Sequence, residues 1–306
     1  MIFYKTTDRK GSRLGIIHIG IGLIGTAIKN TLLTEGYMQV EQCLTGKINW
    51  DDSDALIKCV DNFFIEIDFI SYNKIYVVWS AGKAGFGTSL DTAKDDFSNF
   101  KSILSFIISN ISRRAIPFSL FMLSSGGGLF EGQTLISKSS IPSPKRPYGQ
   151  LKLWEEKFIL SHSAIFERSI FRISSVYSAE ILNKRKGLIL VLMENGLTNK
   201  VSTIVGNETT LRDYVLDKDI ARYLIRCIYN DFNPGQLTYL ASGRPCSIFQ
   251  IKKQVEKILK KRIYISYAPH KHNAANISYA PDIIAKGFRN TDFITSLNQL
   301  FNRLLH

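Results

Sequence analysis

The chain has 306 residues, 45% hydrophobic and 21% charged, and its 39 Lys and Arg against 26 Asp and Glu leave a formal charge of +13. This composition excludes a disordered chain, and 21 Gly with 8 Pro excludes a collagen-like or low-complexity one. No apolar run approaches the ~18–20 residues of a membrane span, since Leu14–Ile24 is short and contains His18.

Residues 1–13 read as polar and charged, without the apolar core of a secretory signal. Leu14–Ile19 reads as a buried strand, followed by a Gly turn and a helical segment to about Glu35. Glu41 falls inside a further strand. Ile75–Ser80 (IYVVWS) is a second clear strand, and Asp91 or Thr92 is placed to cap a helix running towards Ser112. Ser119–Ser125 is a third strand. A loop with Pro142, Pro144 and Pro147 leads into a helix from Tyr148 to about Ser161, and a strand follows around Ser169–Val176. Asp217 or Asp219 opens a helix through Ile228, and Ile248–Leu259 forms another. Alternating strands and helices predict an α/β, Rossmann-like, doubly wound parallel sheet over residues 12–176. A smaller C-terminal α/β substrate-binding lobe is expected over residues 177–306, interleaved with the first domain.

The four cysteines (Cys43, Cys59, Cys227, Cys246) show no C-x-x-C spacing, so neither zinc nor a disulfide framework is expected, and a reducing cytoplasm fits. The richest basic stretch, Lys252–Arg262, reads as an amphipathic helix with Val255, Ile258 and Leu259 inward. No aromatic residues interleave with its charges, which points away from nucleic acid and towards a solvated helix face.

Gly20-Ile-Gly22-Leu23-Ile24-Gly25 directly follows a strand and opens a helix. The first Gly permits a tight turn, the second lets backbone approach a pyrophosphate, and the third allows close helix–strand packing. A plain αβ turn is the alternative reading. The acidic residue that usually holds the ribose some 20 positions on is missing. Lys47 stands near that place, either as a contact to a ribose 2′-phosphate or as a surface lysine, so the cofactor is NAD or NADP.

Chance alone predicts about one Tyr-x-x-x-Lys in this composition, and there are three. Tyr267 and Lys271 enclose Pro269, and Tyr214 with Lys218 lies in a strand-like segment. Tyr148 and Lys152 sit on one face of a credible helix. A phenol is a poor base at neutral pH, but a nearby ammonium and a nicotinamide cation favour its ionised form. Tyr148 is therefore the candidate base and Lys152 its activator and ribose contact. Ser125, 23 residues earlier at a strand end, is the candidate hydrogen-bond partner of the same substrate oxygen.

The order Gly-rich turn, Ser124-Ser125, Tyr148-x-x-x-Lys152 resembles the extended short-chain dehydrogenase/reductases, the NAD-dependent epimerase/dehydratase family acting on nucleotide sugars. The resemblance covers nearly the whole chain. Val78–Gly82 (VWSAG) is similar to the family's fourth strand and the turn beside the cofactor, which implies cofactor contacts at Ala81 and Gly82. Phe171–Tyr177 (FRISSVY) is similar to the strand after the catalytic helix, and Thr210–Val215 (TLRDYV) to a segment whose arginine contacts the nucleotide-sugar diphosphate. That role falls on Arg212, with a structural arginine paired to Asp213 or a neighbour as the alternative. Ser175 stands where many relatives carry Asn and is a further substrate candidate. The turn lacks the family's extra Gly at Ile19. Ser124-Ser-Gly-Gly-Gly128 lacks the Asp-Glu pair of 4,6-dehydratases, which points away from that branch.

The resemblance implies an enzyme that modifies a nucleotide-diphosphate sugar by Tyr-assisted hydride transfer. An epimerase leads, with a keto-sugar reductase or a non-catalytic dinucleotide sensor as alternatives. It also implies a homodimer.

Overall fold

The computed structural model describes residues 1–35, 39–50, 52–85, 87–162, 166–178, 186–268 and 275–305. In chain order its strands are β1 Ile2–Thr7, β2 Arg13–Ile19, β3 Glu41–Thr45, β4 Lys74–Trp79, β5 Phe118–Ser125, β6 Glu167–Ile173, β7 Ser175–Tyr177, β8 Ser202–Val205, β9 Leu211–Arg212, β10 Tyr214–Leu216, β11 Leu237–Leu240, β12 Cys246–Ser247 and β13 Ile265–Ala268. Its α-helices are α1 Leu23–Thr34, α2 Ser53–Ile65, α3 Leu90–Arg113, α4 Gly126–Leu129, α5 Pro147–Ser161, α6 Leu188–Leu197, α7 Asp217–Tyr229, α8 Ile248–Leu259 and α9 Phe293–Leu305. The chain divides into two units. One comprises residues 1–129, 144–172 and 224–238, the other residues 130–143, 173–223 and 239–306.

The central sheet has seven strands in the order β11-β6-β5-β4-β2-β1-β3. Strands β2, β4 and β5 run parallel, with Ile17 opposite Val77 and Val77 opposite Leu120. All three are near-continuous apolar runs because helices cover both faces of a parallel sheet. The expected α/β sheet is thus present, but it is mixed. β1 runs antiparallel between β2 and β3, with Ile2 opposite both His18 and Thr45. Residues 1–13 read as polar, yet Ile2, Phe3 and Tyr4 are buried in this hairpin.

In the first unit the core joins Phe3, Ile17 and Trp79 of the sheet to Phe64 of α2, Phe100 and Ile107 of α3 and Ile159 of α5. The Trp79 and Phe100 rings meet edge to face at 4.9 Å, a geometry aromatic quadrupoles favour. Helix α3 is capped by Ser89, whose side chain accepts from the Thr92 amide. The expected caps Asp91 and Thr92 fall inside the first turn, where Asp91 instead complements the helix dipole.

In the second unit, β7 pairs in parallel with β10, β8 with β13, and β9 antiparallel with β12. Helix α8 opens with a reciprocal capping box between Ser247 and Gln250. Ile248, Ile251 and Val255 are buried, with Ile258 and Leu259 packed against the same cluster. The helix ends at Leu259 because Lys260 takes a left-handed conformation. The Tyr267–Lys271 pair extends outside the described residues. All four cysteines are free thiols. Among the described residues no helix is long and apolar enough to cross a membrane, and no cluster of potential metal ligands occurs.

Candidate active site

The Gly-rich turn joins β2 to α1, and its glycines are required by space. Gly20 has a positive φ of 98°, and a Cβ there would lie 2.3 Å from the Ala81 amide nitrogen. A Cβ on Gly25 would lie 2.1 Å from the Gly20 carbonyl oxygen, so the helix can approach the strand only without a side chain. Gly22 differs, since a Cβ there would meet nothing within 4 Å among the described residues. It is the N-cap of α1, contributes no capping side chain, and is followed by no acidic residue in the first turn. Open space beside uncapped amides is the arrangement that accepts a pyrophosphate. Leu23 and Ile24 are half-buried in that first turn.

Beneath the turn, Ser80 donates to the Gly20 carbonyl at 2.6 Å and lies 2.9 Å from His18 Nε2. His18 is wholly inside the sheet, its Nδ1 has no hydrogen-bond partner among the described residues, and burial pushes its imidazole down to about 3. It is therefore a neutral ring that props Ser80.

The reacting side is built by β4, β5, α4 and α5. Gly128 and Gly149 allow α4 and α5 to touch, for a Cβ on Gly149 would lie 2.1 Å from the Gly128 carbonyl oxygen. At Gly128, a Cβ would sit 3.2 Å from both Ser125 Oγ and the Tyr148 ring. Ser125 Oγ and the Tyr148 ring thus both pack around Gly128. Ser125 Oγ accepts from the Gly128 amide at 3.0 Å, which fixes its lone pair and leaves its hydrogen for another acceptor.

Lys152 Nζ lies 4.0 Å from where a Gly82 Cβ would stand, beside the turn after β4. Gly82 has φ of 154°, and neighbouring Ala81 is buried. The Lys152 ammonium bonds Glu155 Oε2 at 2.8 Å, with both side chains almost fully enclosed. Burial pulls the ammonium down, but the Glu155 charge, Tyr148, the Glu155 hydrogen bond and Asp96 more than offset this and hold it above its ordinary range.

Sequence reading missed the acids that hold these parts. Glu156 accepts from Ser124 Oγ at 2.6 Å and from Arg172 Nη2 at 2.7 Å, which ties α5 to β5 and β6. Asp96 of α3 accepts from the Lys83 and Ala84 amides at 2.9 and 2.8 Å, pinning the turn beyond Gly82. Lys152-x-x-Glu155-Glu156 was the available signal: positions three and four on along a helix share the lysine's face.

Arg212 and Ser175 belong to the second unit. Arg212 sits on β9 opposite Cys246, and its Nη1 donates to the Leu211 carbonyl at 3.0 Å and to the Ala275 carbonyl. Asp213 accepts instead from the Ser242 amide at 2.7 Å and hydroxyl at 2.9 Å. Ser175 begins β7 and its amide donates to the Asp213 carbonyl at 3.0 Å. Lys47 is exposed beyond β3.

No protein-family model matches the chain, and no curated protein matches it in sequence. Solved structures do. A Thermus thermophilus UDP-glucose 4-epimerase in complex with NAD superposes with a TM-score of 0.73 at 18% identity, covering 95% of this chain and 98% of that one. A Thermotoga maritima UDP-glucose 4-epimerase with UDP-glucose gives 0.71 at 17% identity over 96% and 99%. A Methanobrevibacter ruminantium UDP-N-acetylglucosamine 4-epimerase in complex with UDP-N-acetylmuramic acid gives 0.69 at 15% identity over 98% and 99%. The chain thus has the fold of the extended short-chain dehydrogenase/reductases. It is similar over 95% or more of its length to these nucleotide-sugar 4-epimerases.

Proposed function

We propose that this chain is an NAD-dependent enzyme that epimerises a nucleotide-linked sugar. The observation that carries the proposal is the grouping of Ser125 Oγ and the Tyr148 ring around Gly128, with the Lys152 ammonium beside Gly82. A sensor without chemistry has no use for that grouping. The 4-epimerase structures that share the fold were solved with NAD or UDP-linked sugars, which supports NAD as the cofactor and a nucleoside diphosphate sugar as the substrate.

The residues fit the cofactor. Gly22 and the first amides of α1 would hold its pyrophosphate, Gly82 leaves room on the opposite wall, and Lys152 would meet its ribose. Bound NAD supplies a hydride acceptor that can return the hydride. Ser125 orients the sugar hydroxyl by donating to its oxygen. The Tyr148 oxygen takes the hydroxyl proton as the carbonyl forms and gives it back when the carbonyl is reduced from the other face. Arg212 and Ser175 are the proposed contacts to the nucleotide sugar.

Tyr148→Phe tests the reading with UDP-glucose, UDP-N-acetylglucosamine and UDP-glucuronic acid as substrates. Turnover should fall by roughly 10²–10⁴-fold while NADH affinity stays within about twofold, because one proton acceptor is lost with almost no volume. Equal turnover by both proteins would remove Tyr148 from the chemistry.

A further inference from the structure

We propose that Glu155 is a positioning residue whose buried carboxylate keeps the Lys152 side chain charged and directed at the Gly82 turn, where a cofactor ribose would meet it. The inference rests on the cofactor reading given above. Lys152 is 8% and Glu155 3% exposed, and Nζ lies 2.8 Å from Oε2. A lone ammonium enclosed to this degree favours its neutral form, since burial penalises charge. A neutral amine would be a poor anchor for a ribose and would lend nothing to a developing phenolate on Tyr148.

Tyr148 on α5 and Asp96 on α3 also act on the ammonium, and Glu156 on α5 acts on Glu155. Two of these carboxylates are engaged elsewhere. Glu156 is held by Arg172 and Ser124, and Asp96 by the Lys83 and Ala84 amides. Glu155 is the carboxylate hydrogen-bonded to Nζ. The division of labour is spatial: Asp96 fixes the turn that forms one wall, and Glu155 fixes the lysine that faces it. Position 155 follows Lys152 by three residues, so one helical turn presents both side chains to the same interior face.

The test is NADH affinity as a function of pH, read by reduced-nicotinamide fluorescence. The wild-type affinity should change by less than about threefold between pH 7 and 9.5, because the paired ammonium stays charged. In Glu155→Gln the unpaired, buried lysine should lose its proton within that range, and affinity should fall roughly tenfold as pH rises. Glu155→Asp should restore most of the flat profile. The double variant Glu155→Gln/Lys152→Met should be flat and weak, which assigns the titration to Lys152. A Glu155→Gln profile parallel to wild type, or weaker by one constant factor at every pH, would overturn the proposal as mere loss of packing. A folded wild-type protein that binds no NADH would instead overturn the cofactor reading, and this inference with it.

Discussion

The two flanks of the Gly20–Gly25 turn are built on different plans. On the β4–β5 flank the strands run parallel to β2, and three parts are held by named partners: Ser125 by the Gly128 amide, Lys152 by Glu155, α5 by the Ser124–Glu156–Arg172 set. On the other flank β1 enters antiparallel between β2 and β3. At the usual strand spacing this moves β3 to about 10 Å from β2 instead of about 5 Å. The end of β3, where a ribose-binding acid ordinarily stands, is displaced from the turn, and the chain there reads Thr45-Gly46-Lys47. One flank is parallel throughout, whereas on the other the antiparallel β1 separates β3 from the strand that carries the turn.

Three perturbations sharpen this contrast, from the largest effect to the smallest. Arg172→Met on the reacting flank strands the buried Glu156 carboxylate. It should cost on the order of 3–5 kcal/mol in urea unfolding, and a loss below about 1 kcal/mol would show that the pair does not hold α5. On the hairpin flank, His18 packs against Tyr4 with ring centroids 6.5 Å apart. Its folded value near 3 lies below the unfolded value near ~6.5, so the unfolded state binds the extra proton. The stability it contributes is complete above ~6.5 and is lost as pH falls towards about 3. Relative to His18→Val, wild type should lose about 2 kcal/mol between pH 7 and pH 5; equal losses in both proteins would mean that His18 is charged in the fold. The smallest effect belongs to Lys47. Because it is exposed beyond a displaced strand, Lys47→Ala should change the ratio of NADPH to NADH affinity by less than about twofold. A tenfold shift would place it on a ribose phosphate.

Legibility in the sequence followed the same divide. Strands β4 and β5 were readable because burial on both faces forces continuous apolar runs, and α8 was readable to the residue because Ser247 caps it and its apolar spacing is helical. Tyr148 and Lys152 were distinguished from two other Tyr-x-x-x-Lys pairs by helical context alone. β1 was not readable, since three apolar residues followed by Lys5, Thr6 and Thr7 match a polar terminus as well as a strand, and its partners on both sides are chosen by tertiary pairing. The roles of Glu155 and Glu156 were not read from the sequence. Their burial depends on Lys152 and Arg172, and Arg172 lies on a strand 16 residues further on.

The turn and Lys152 are proposed to hold a nicotinamide cofactor together. NADH fluorescence titration of wild type beside Gly22→Val tests it most directly, since the open space at Gly22 accommodates the new side chain without cofactor and denies the pyrophosphate its place. The account predicts saturable binding by wild type, and an affinity at least tenfold weaker for a variant whose thermal midpoint is nearly unchanged. Equal affinity in the two proteins, or no binding by the folded wild type, would contradict it.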